Sequence, residues 1–379
     1  MQLFQKCRWL FVLFGITVAP ESSAQVWDWT KRTVNSVFND TVSSEQPKFV
    51  AYPTVAYAPE TRWEIGASAL YVYYAQRDTA NRLSELNAFT FLTLESQYGL
   101  WLDHALYSDQ STWFFLGRLR YQRFPLLYYG IGPDTPDEEL AQVDANSIAI
   151  RERVLRNITG GLYLGVELDY QRLTQVNFNV LSEEPLDLPT GSQGSTNAGI
   201  GVGLVYDNRH NVLNVREGFF GETGFLRYDD AWGSDFSFTH YFLDARYFYP
   251  VTKNQVLAYQ LYGANMSGDV PFNQLALMGG ESLMRGYYLG RYRDNTLVAT
   301  QVEYRFLPFP FSRRWGAAAF LSAGGVAPSP REINLGDWVV AGGAGVRFLI
   351  FPAKDVYTRI DVAFTEEGPG YYFFIGEAF

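Results

Sequence analysis

The chain has 379 residues, a formal net charge of −10 and 17% aromatic residues, among them 26 Tyr and 29 Phe. The acidic balance argues against nucleic acid as a partner, because a phosphate backbone is met by clustered Lys and Arg and no basic tract occurs. A mean hydropathy of −0.12 excludes a bundle of membrane helices, each of which needs about 20 consecutive apolar residues.

At the N-terminus, Lys6 and Arg8 precede an apolar run from Trp9 to Ala19, and Ser22-Ser23-Ala24 follows. This is the pattern of a secretory signal peptide over 1–24, cleaved before Gln25. The sole cysteine, Cys7, falls inside it, so disulfides, thiol catalysis and cysteine metal sites are not expected in the mature chain. Residues 25–47 are polar with scattered aromatics and lack strand alternation, and are read as a short periplasmic lead. From 48 to 379 the chain falls into short alternating segments separated by Gly, Pro, Asp and Asn clusters, as antiparallel strands and turns do.

Several segments alternate clearly enough to assign faces. Trp113, Phe115, Leu119 and Tyr121 oppose Arg118, Arg120 and Gln122; Tyr241, Leu243, Ala245 and Tyr247 oppose Asp244 and Arg246. Val298, Val302, Tyr304 and Phe306 oppose Gln301, Glu303 and Arg305, and Val356, Ile360, Val362 and Phe364 oppose Arg359 and Asp361. Period 2 places the charged set on one face and the apolar set on the other. A soluble sandwich would alternate in the same way. Large aromatics near strand ends, an export signal and an apolar final segment favour a membrane sheet, which must close because hydrocarbon leaves no edge satisfied.

The fold expected is therefore all-β: a single transmembrane antiparallel β-barrel of sixteen strands, centred near residues 52, 69, 89, 102, 118, 150, 167, 203, 223, 243, 260, 301, 319, 344, 360 and 375. Fourteen or twelve strands remain open, since the segments near 52, 89 and 150 are weak.

The least generic stretch runs from Met278 to Phe306. It contains Gly279-Gly280, then Arg285-Gly286-Tyr287, then Gly290-Arg291-Tyr292-Arg293-Asp294-Asn295, then the strand with Gln301-Val302-Glu303-Tyr304-Arg305. Arg285 is suited to bidentate bonds with a carboxylate, and Gly286 to a tight turn.

This stretch resembles the barrel of the BamA/TamA family, also called the bacterial surface antigen family. Tyr129-Gly130-Ile131-Gly132-Pro133-Asp134-Thr135, Asp207-Asn208-Arg209 with Gly218, and Gly343-Ala344-Gly345-Val346-Arg347-Phe348 with Arg359-Ile360-Asp361 extend the resemblance over roughly 50–379. The resemblance implies that the loop after the eleventh strand folds back into the lumen with Arg285-Gly286-Tyr287 at its tip, where it would serve as a static plug or as a moving gate. In that place Arg285 would bond a lumenal carboxylate, and by facing the candidate partners are Glu303 and Asp361. It also implies that Tyr371, Phe373, Ile375 and Phe379 form a C-terminal assembly signal. Three departures stand out. The 23 residues of 25–47 leave no room for the POTRA domains that family members usually carry. Ser322 stands where many relatives have an Asp. Glu377 breaks the terminal alternation.

No enzymatic site is expected: the three histidines, His104, His210 and His240, lie in distant segments, and no Gly-x-Ser-x-Gly elbow occurs. The acidic run Asp134 to Glu139 reads as a solvated loop, and no metal or cofactor is implied. The function implied by the resemblance is assistance to insertion or translocation of proteins or lipids in the cell outer membrane. The alternative is a passive pore or a structural surface antigen. Expected partners are outer-membrane lipid and lipopolysaccharide, the barrel assembly machinery during biogenesis, and client proteins or an accessory periplasmic subunit.

Overall fold

The computed structural model describes residues 46–379 apart from 184, 210–213 and 353–354. The expected signal peptide with Cys7, the lead through residue 45, and His210 lie outside the described residues. Among those described, no helix is long and apolar enough to cross a membrane.

Sixteen strands form the wall. The first eight are β1 (Lys48–Ala58), β2 (Arg62–Tyr74), β3 (Leu83–Thr93), β4 (Tyr98–Tyr107), β5 (Trp113–Arg123), β6 (Ala141–Thr159), β7 (Leu162–Val180) and β8 (Ser195–Asp207). The second eight are β9 (Gly218–Tyr228), β10 (Phe238–Thr252), β11 (Gln255–Gly268), β12 (Thr296–Phe306), β13 (Trp315–Ala327), β14 (Val339–Phe351), β15 (Val356–Thr365) and β16 (Gly368–Ile375). Each pairs antiparallel with its chain neighbours, and β16 returns to β1, so the sheet closes. The weak segments near 52, 89 and 150 are all strands, which settles the count at sixteen. A three-residue strand, Leu126–Tyr128, extends the β5 side of β6.

The two faces follow the period of 2. Outward stand Leu164, Val166, Leu168 and Tyr170 of β7 and Tyr241, Leu243, Tyr247 and Tyr249 of β10, all exposed. Inward stand Glu167 and Asp169 of β7, Asp244 of β10, Glu303 and Arg305 of β12 and Asp361 of β15, all buried. An apolar exterior around a charged interior is the arrangement of a membrane barrel, in which every backbone group is satisfied between strands.

The even count puts the start of β1 and the end of β16 at the same end, together with the connections 108–112, 160–161 and 253–254. The longer loops 124–140, 181–194, 269–295 and 328–338 lie at the other. Strands β6 and β7, 19 residues each, exceed the roughly 9–11 residues that cross a bilayer, and they outrun β5 and β8 at the ends that lead to loops 124–140 and 181–194.

One joint in the wall is thin. β1 and β2 are in register at eleven positions, from Lys48↔Val72 to Ala58↔Arg62. Among the described residues β1 and β16 share one, Tyr57↔Phe373. Continuing that register downward, Thr54 would meet Gly376, but there the backbone turns away with φ +97° and the Gly376 N–H bonds the Tyr357 carbonyl. Tyr371, Phe373 and Ile375 keep the alternation of the last strand. Phe379 departs from the expected series: its carbonyl accepts from Arg305 Nη2 at 2.9 Å and its ring lies 5.1 Å from the Arg305 guanidinium. Glu377 enters the lumen with it, where Arg347 Nε donates to it at 2.9 Å. The glycine permits the turn, and lumenal arginines supply the acceptors' partners.

Candidate functional site: the inserted loop and the seam

The loop 269–295 connects β11 to β12 and carries its own small ladder, Ala276–Met278 against Tyr292–Asp294. Its apolar side chains make a core of their own: Met278, Met284, Tyr287 and Tyr292 pack with Leu297 and Ala299 of β12 and Val326 of β13. A loop with a packed core holds one conformation, which is what a plug requires.

The tip is built on glycines where no side chain fits. Gly279 has φ +116°, and a Cβ there would lie 2.1 Å from the Tyr288 carbonyl oxygen. Gly286 has φ +114°, and a Cβ there would lie 2.5 Å from Thr365 Cγ2 of β15. Gly280 N–H donates to the Tyr287 carbonyl at 3.0 Å, closing the turn. The fully buried Tyr287 ring meets Tyr292 edge-on at 5.7 Å, and its hydroxyl donates to the Val340 carbonyl at 3.4 Å.

Arg285, fully buried, reaches the wall. Its Nη1 donates to Asp361 Oδ2 at 2.7 Å, and its Nη2 bonds Glu303 Oε2. The guanidinium also stacks on Phe320 of β13, its Cζ 3.5 Å from the ring centroid. Both carboxylates have further partners. Arg305 holds Glu303 at 2.7 Å, while Arg347 at 2.5 Å and Arg359 at 2.8 Å hold Asp361. Charges this deep are tolerable only when mutually paired and hydrogen-bonded. Gly345 of β14 makes the space, since a Cβ there would lie 2.0 Å from Asp361 Oδ1. Ser322 stays out of the cluster and donates to the Ala341 carbonyl at 3.2 Å. On β13 it is the aromatic face of Phe320 that meets Arg285.

Sequence reading proposed Glu303 and Asp361 beside Arg285 but not the supporting arginines, although Arg305 and Arg359 share the inward face and Arg347 stands in a quoted motif. It also missed two contacts that straddle the thin joint. Gly286 N–H donates to Tyr372 Oη of β16 at 2.8 Å, and Leu289 N–H donates to Glu60 Oε1, in the β1–β2 turn, at 2.7 Å. Gly370 of β16 allows the approach, as a Cβ there would lie 3.0 Å from Gly286 Cα.

Loop 124–140 covers the insert from above. Gly132 N–H donates to the Arg293 carbonyl at 2.9 Å, and Arg291 Nη1 donates to Thr135 Oγ1 at 2.7 Å. The Arg291 guanidinium lies 4.7 Å from the Tyr129 ring, and its Nε bonds Glu367. The Tyr129–Thr135 motif thus serves as a seat for the insert. The histidines stay apart: His104 pairs with Glu152 at 3.2 Å, and His240 lies beside Phe242 on β10. Among the described residues no three His, Cys, Asp or Glu converge as metal ligands.

A family model described as the Omp85 superfamily domain matches residues 101–379. No curated protein sequence matches the chain. Among solved structures, BamA from Haemophilus ducreyi lacking POTRA domains 1-3 superposes with a TM-score of 0.56 at 12% identity, over 87% of this chain and 70% of that one. CdiB from Acinetobacter baumannii gives a TM-score of 0.57 at 12% identity over 87% of this chain, which spans only 59% of that one. CdiB from Escherichia coli gives 0.55 at 10% identity, over 91% and 68%. At such identities these likenesses show the fold. The family match, running from residue 101 to 379, places this BamA-like barrel in the Omp85 superfamily.

Proposed function

We propose that this chain acts in the cell outer membrane, assisting insertion or translocation of proteins or lipids at the seam between β1 and β16. The observation that carries the reading is the single registered pair, Tyr57↔Phe373, across that seam. Against the eleven registered pairs of β1 with β2, this is the joint of the wall with the shortest ladder among the described residues, and so the one that parts most readily. An edge exposed on parting is costly in hydrocarbon, and an incoming strand satisfies it by adding to it. Pro53 removes one donor from β1, so its pairing is intrinsically weaker.

The insert supports a gated barrel over a steady pore. Arg285, Arg291 and Tyr287 are buried in the lumen, and the tip is bonded to both sides of the seam. Clients in this reading are proteins or lipids that enter the membrane laterally. Outer-membrane lipid and lipopolysaccharide surround the wall, and an accessory periplasmic subunit would deliver the client. The last strand, with Tyr371, Phe373 and Ile375, would be read by the assembly machinery during biogenesis. Planar-bilayer conductance tests the reading. A mostly closed barrel with rare large openings, made frequent by Arg285→Ala, is expected. A steady open conductance indifferent to Arg285 would favour a passive pore.

A further inference from the structure

The end of the wall that carries the start of β1 also carries the turns 253–254, between β10 and β11, and 307–314, between β12 and β13. The two turns touch. Leu307 N–H donates to the Asn254 carbonyl at 2.8 Å, and Asn254 Nδ2 donates to the Pro308 carbonyl at 3.0 Å. They present a surface that neither the seam nor the insert uses.

The apolar part of this surface continues the lipid-facing wall. Ring follows ring from Tyr304 to Phe306 at 5.2 Å, on to Phe309 at 6.0 Å and to Phe311 at 5.0 Å. Tyr304 and Phe306 stand on the outward face of β12, and the column then leaves the strand and runs along the turn. The Tyr304 hydroxyl donates to Gln255 Oε1, at the first residue of β11, at 3.0 Å. A tyrosine so placed marks the boundary between hydrocarbon and headgroups. Phe311 lies past it and is 85% exposed. On the other flank Trp315, 52% exposed, packs on Phe348 of β14 at 4.9 Å. Large apolar rings exposed together beyond the strand ends mark a surface that something covers.

The charged part is of one sign. Lys253, Arg313 and Arg314 are all exposed. Arg314 Nη1 donates to the Leu349 carbonyl at 3.3 Å and its Cζ lies 5.8 Å from the Phe348 ring, so this guanidinium is held on the lipid-facing side. The side chains of Lys253 and Arg313 make no hydrogen bond or ion pair with a described residue. Asp355, in the turn after β14, is already engaged by Arg216 through bonds of 2.7 and 2.8 Å. In a chain of formal net charge −10, three cations without a carboxylate on two touching turns reverse the local sign.

We infer that these two turns bind an anionic phospholipid of the membrane leaflet at this end. Its phosphate lies among Lys253, Arg313 and Arg314, and its acyl chains lie along the column from Phe311 to Tyr304. A guanidinium fork fits phosphate oxygens, and each Lys or Arg near an acidic lipid surface adds to the attraction. A zwitterionic headgroup brings an ammonium that the three cations repel, so net charge and not phosphate alone is selected. The inference is independent of what happens at the seam.

The test uses the full barrel in neutral-detergent micelles, titrated with dioleoyl phosphatidylglycerol or dioleoyl phosphatidylcholine, with retained lipid counted by native mass spectrometry and folding checked by gel mobility. The barrel is expected to retain phosphatidylglycerol at concentrations where phosphatidylcholine is not retained. Lys253→Gln/Arg313→Gln breaks no bond to a described residue and should weaken retention about 25-fold, about fivefold for each charge. Phe311→Ala, at an exposed ring, should weaken it about tenfold. Arg172→Gln/Arg331→Gln makes the same change of net charge toward the other end and should leave retention as it was. Equal retention of the two lipids, undiminished retention in Lys253→Gln/Arg313→Gln, or an equal loss in Arg172→Gln/Arg331→Gln would overturn the inference.

Discussion

The Leu289 N–H donates to Glu60 Oε1 at 2.7 Å, so the inserted loop is fastened to the turn that follows β1. Three residues earlier, Gly286 is fastened to Tyr372 of β16. The loop therefore bridges a joint that the strands themselves pair at one registered position, and opening of the joint is coupled to the loop through two hydrogen bonds.

Tyr372→Phe removes the acceptor of the Gly286 N–H while leaving the ring in its apolar cluster with Ala58, Phe320 and Ala363. A lost hydrogen bond of this kind costs about 1 kcal/mol. The barrel should fold as before, and single-channel recordings should show openings about fivefold more frequent, the same free energy expressed as a ratio.

Arg285→Ala should spare folding and free the tip. Glu303 retains Arg305, and Asp361 retains Arg347 and Arg359, so no carboxylate is left alone. The loop itself loses two charge-assisted bonds, each worth roughly 1.5–3 kcal/mol. Heat-modified gel mobility should persist while protease cleavage within 269–295 rises. Arg285→Lys should recover only part of the protection, because an ammonium cannot span both carboxylates and lie flat on Phe320.

Gly286→Ala should be as damaging to the tip as loss of the arginine. The left-handed backbone costs a non-glycine residue on the order of 1–3 kcal/mol, and the new methyl meets Thr365 Cγ2. Adding Thr365→Ser removes that methyl and keeps the hydroxyl, so the double variant should regain some, not all, of the protease protection. Full additivity would mean that the two residues do not meet.

Much of this was legible in the sequence because a barrel wall has a strict period of 2. The alternations at 113–122, 241–247, 298–306 and 356–364 fix which residues face inward, and Glu303 and Asp361 follow from facing plus charge, whereas the place of Arg285 beside them came from the resemblance to a known family. What could not be read is set by register and by non-repeating backbone. The Phe320 platform, the Gly345 notch under Asp361 and the approach of Gly370 to Gly286 depend on how strands are staggered. Phe379 continues the alternation on paper, yet one left-handed glycine at 376 turns it inward. The bonds to Glu60 and Tyr372 come from loop backbone, which carries no side-chain signal at all.

Stability should fall between mildly acidic and neutral pH. Burial pushes the Glu60 carboxyl up from 4.5 to about 7, with the like charge of Glu281 adding to it and the bond from Leu289 opposing it. The folded state then holds a proton that the unfolded state has released, so the contribution is present below about 4.5 and is lost as pH rises through about 7. Urea midpoints measured across that window should decline, and Glu60→Gln should flatten the decline. An unchanged slope in the variant would remove Glu60 as its source.

The central claim is that the joint between β1 and β16 must part for the protein to act. Tyr57 and Phe373 face each other as Cα partners, at a separation that antiparallel pairs share with disulfides. The measurement is client insertion into liposomes containing Tyr57→Cys/Phe373→Cys barrel, oxidised and then reduced, with folding checked by gel mobility in both states. The account predicts a folded barrel that is inactive when oxidised and recovers on reduction. Undiminished insertion by the fully cross-linked barrel would contradict it.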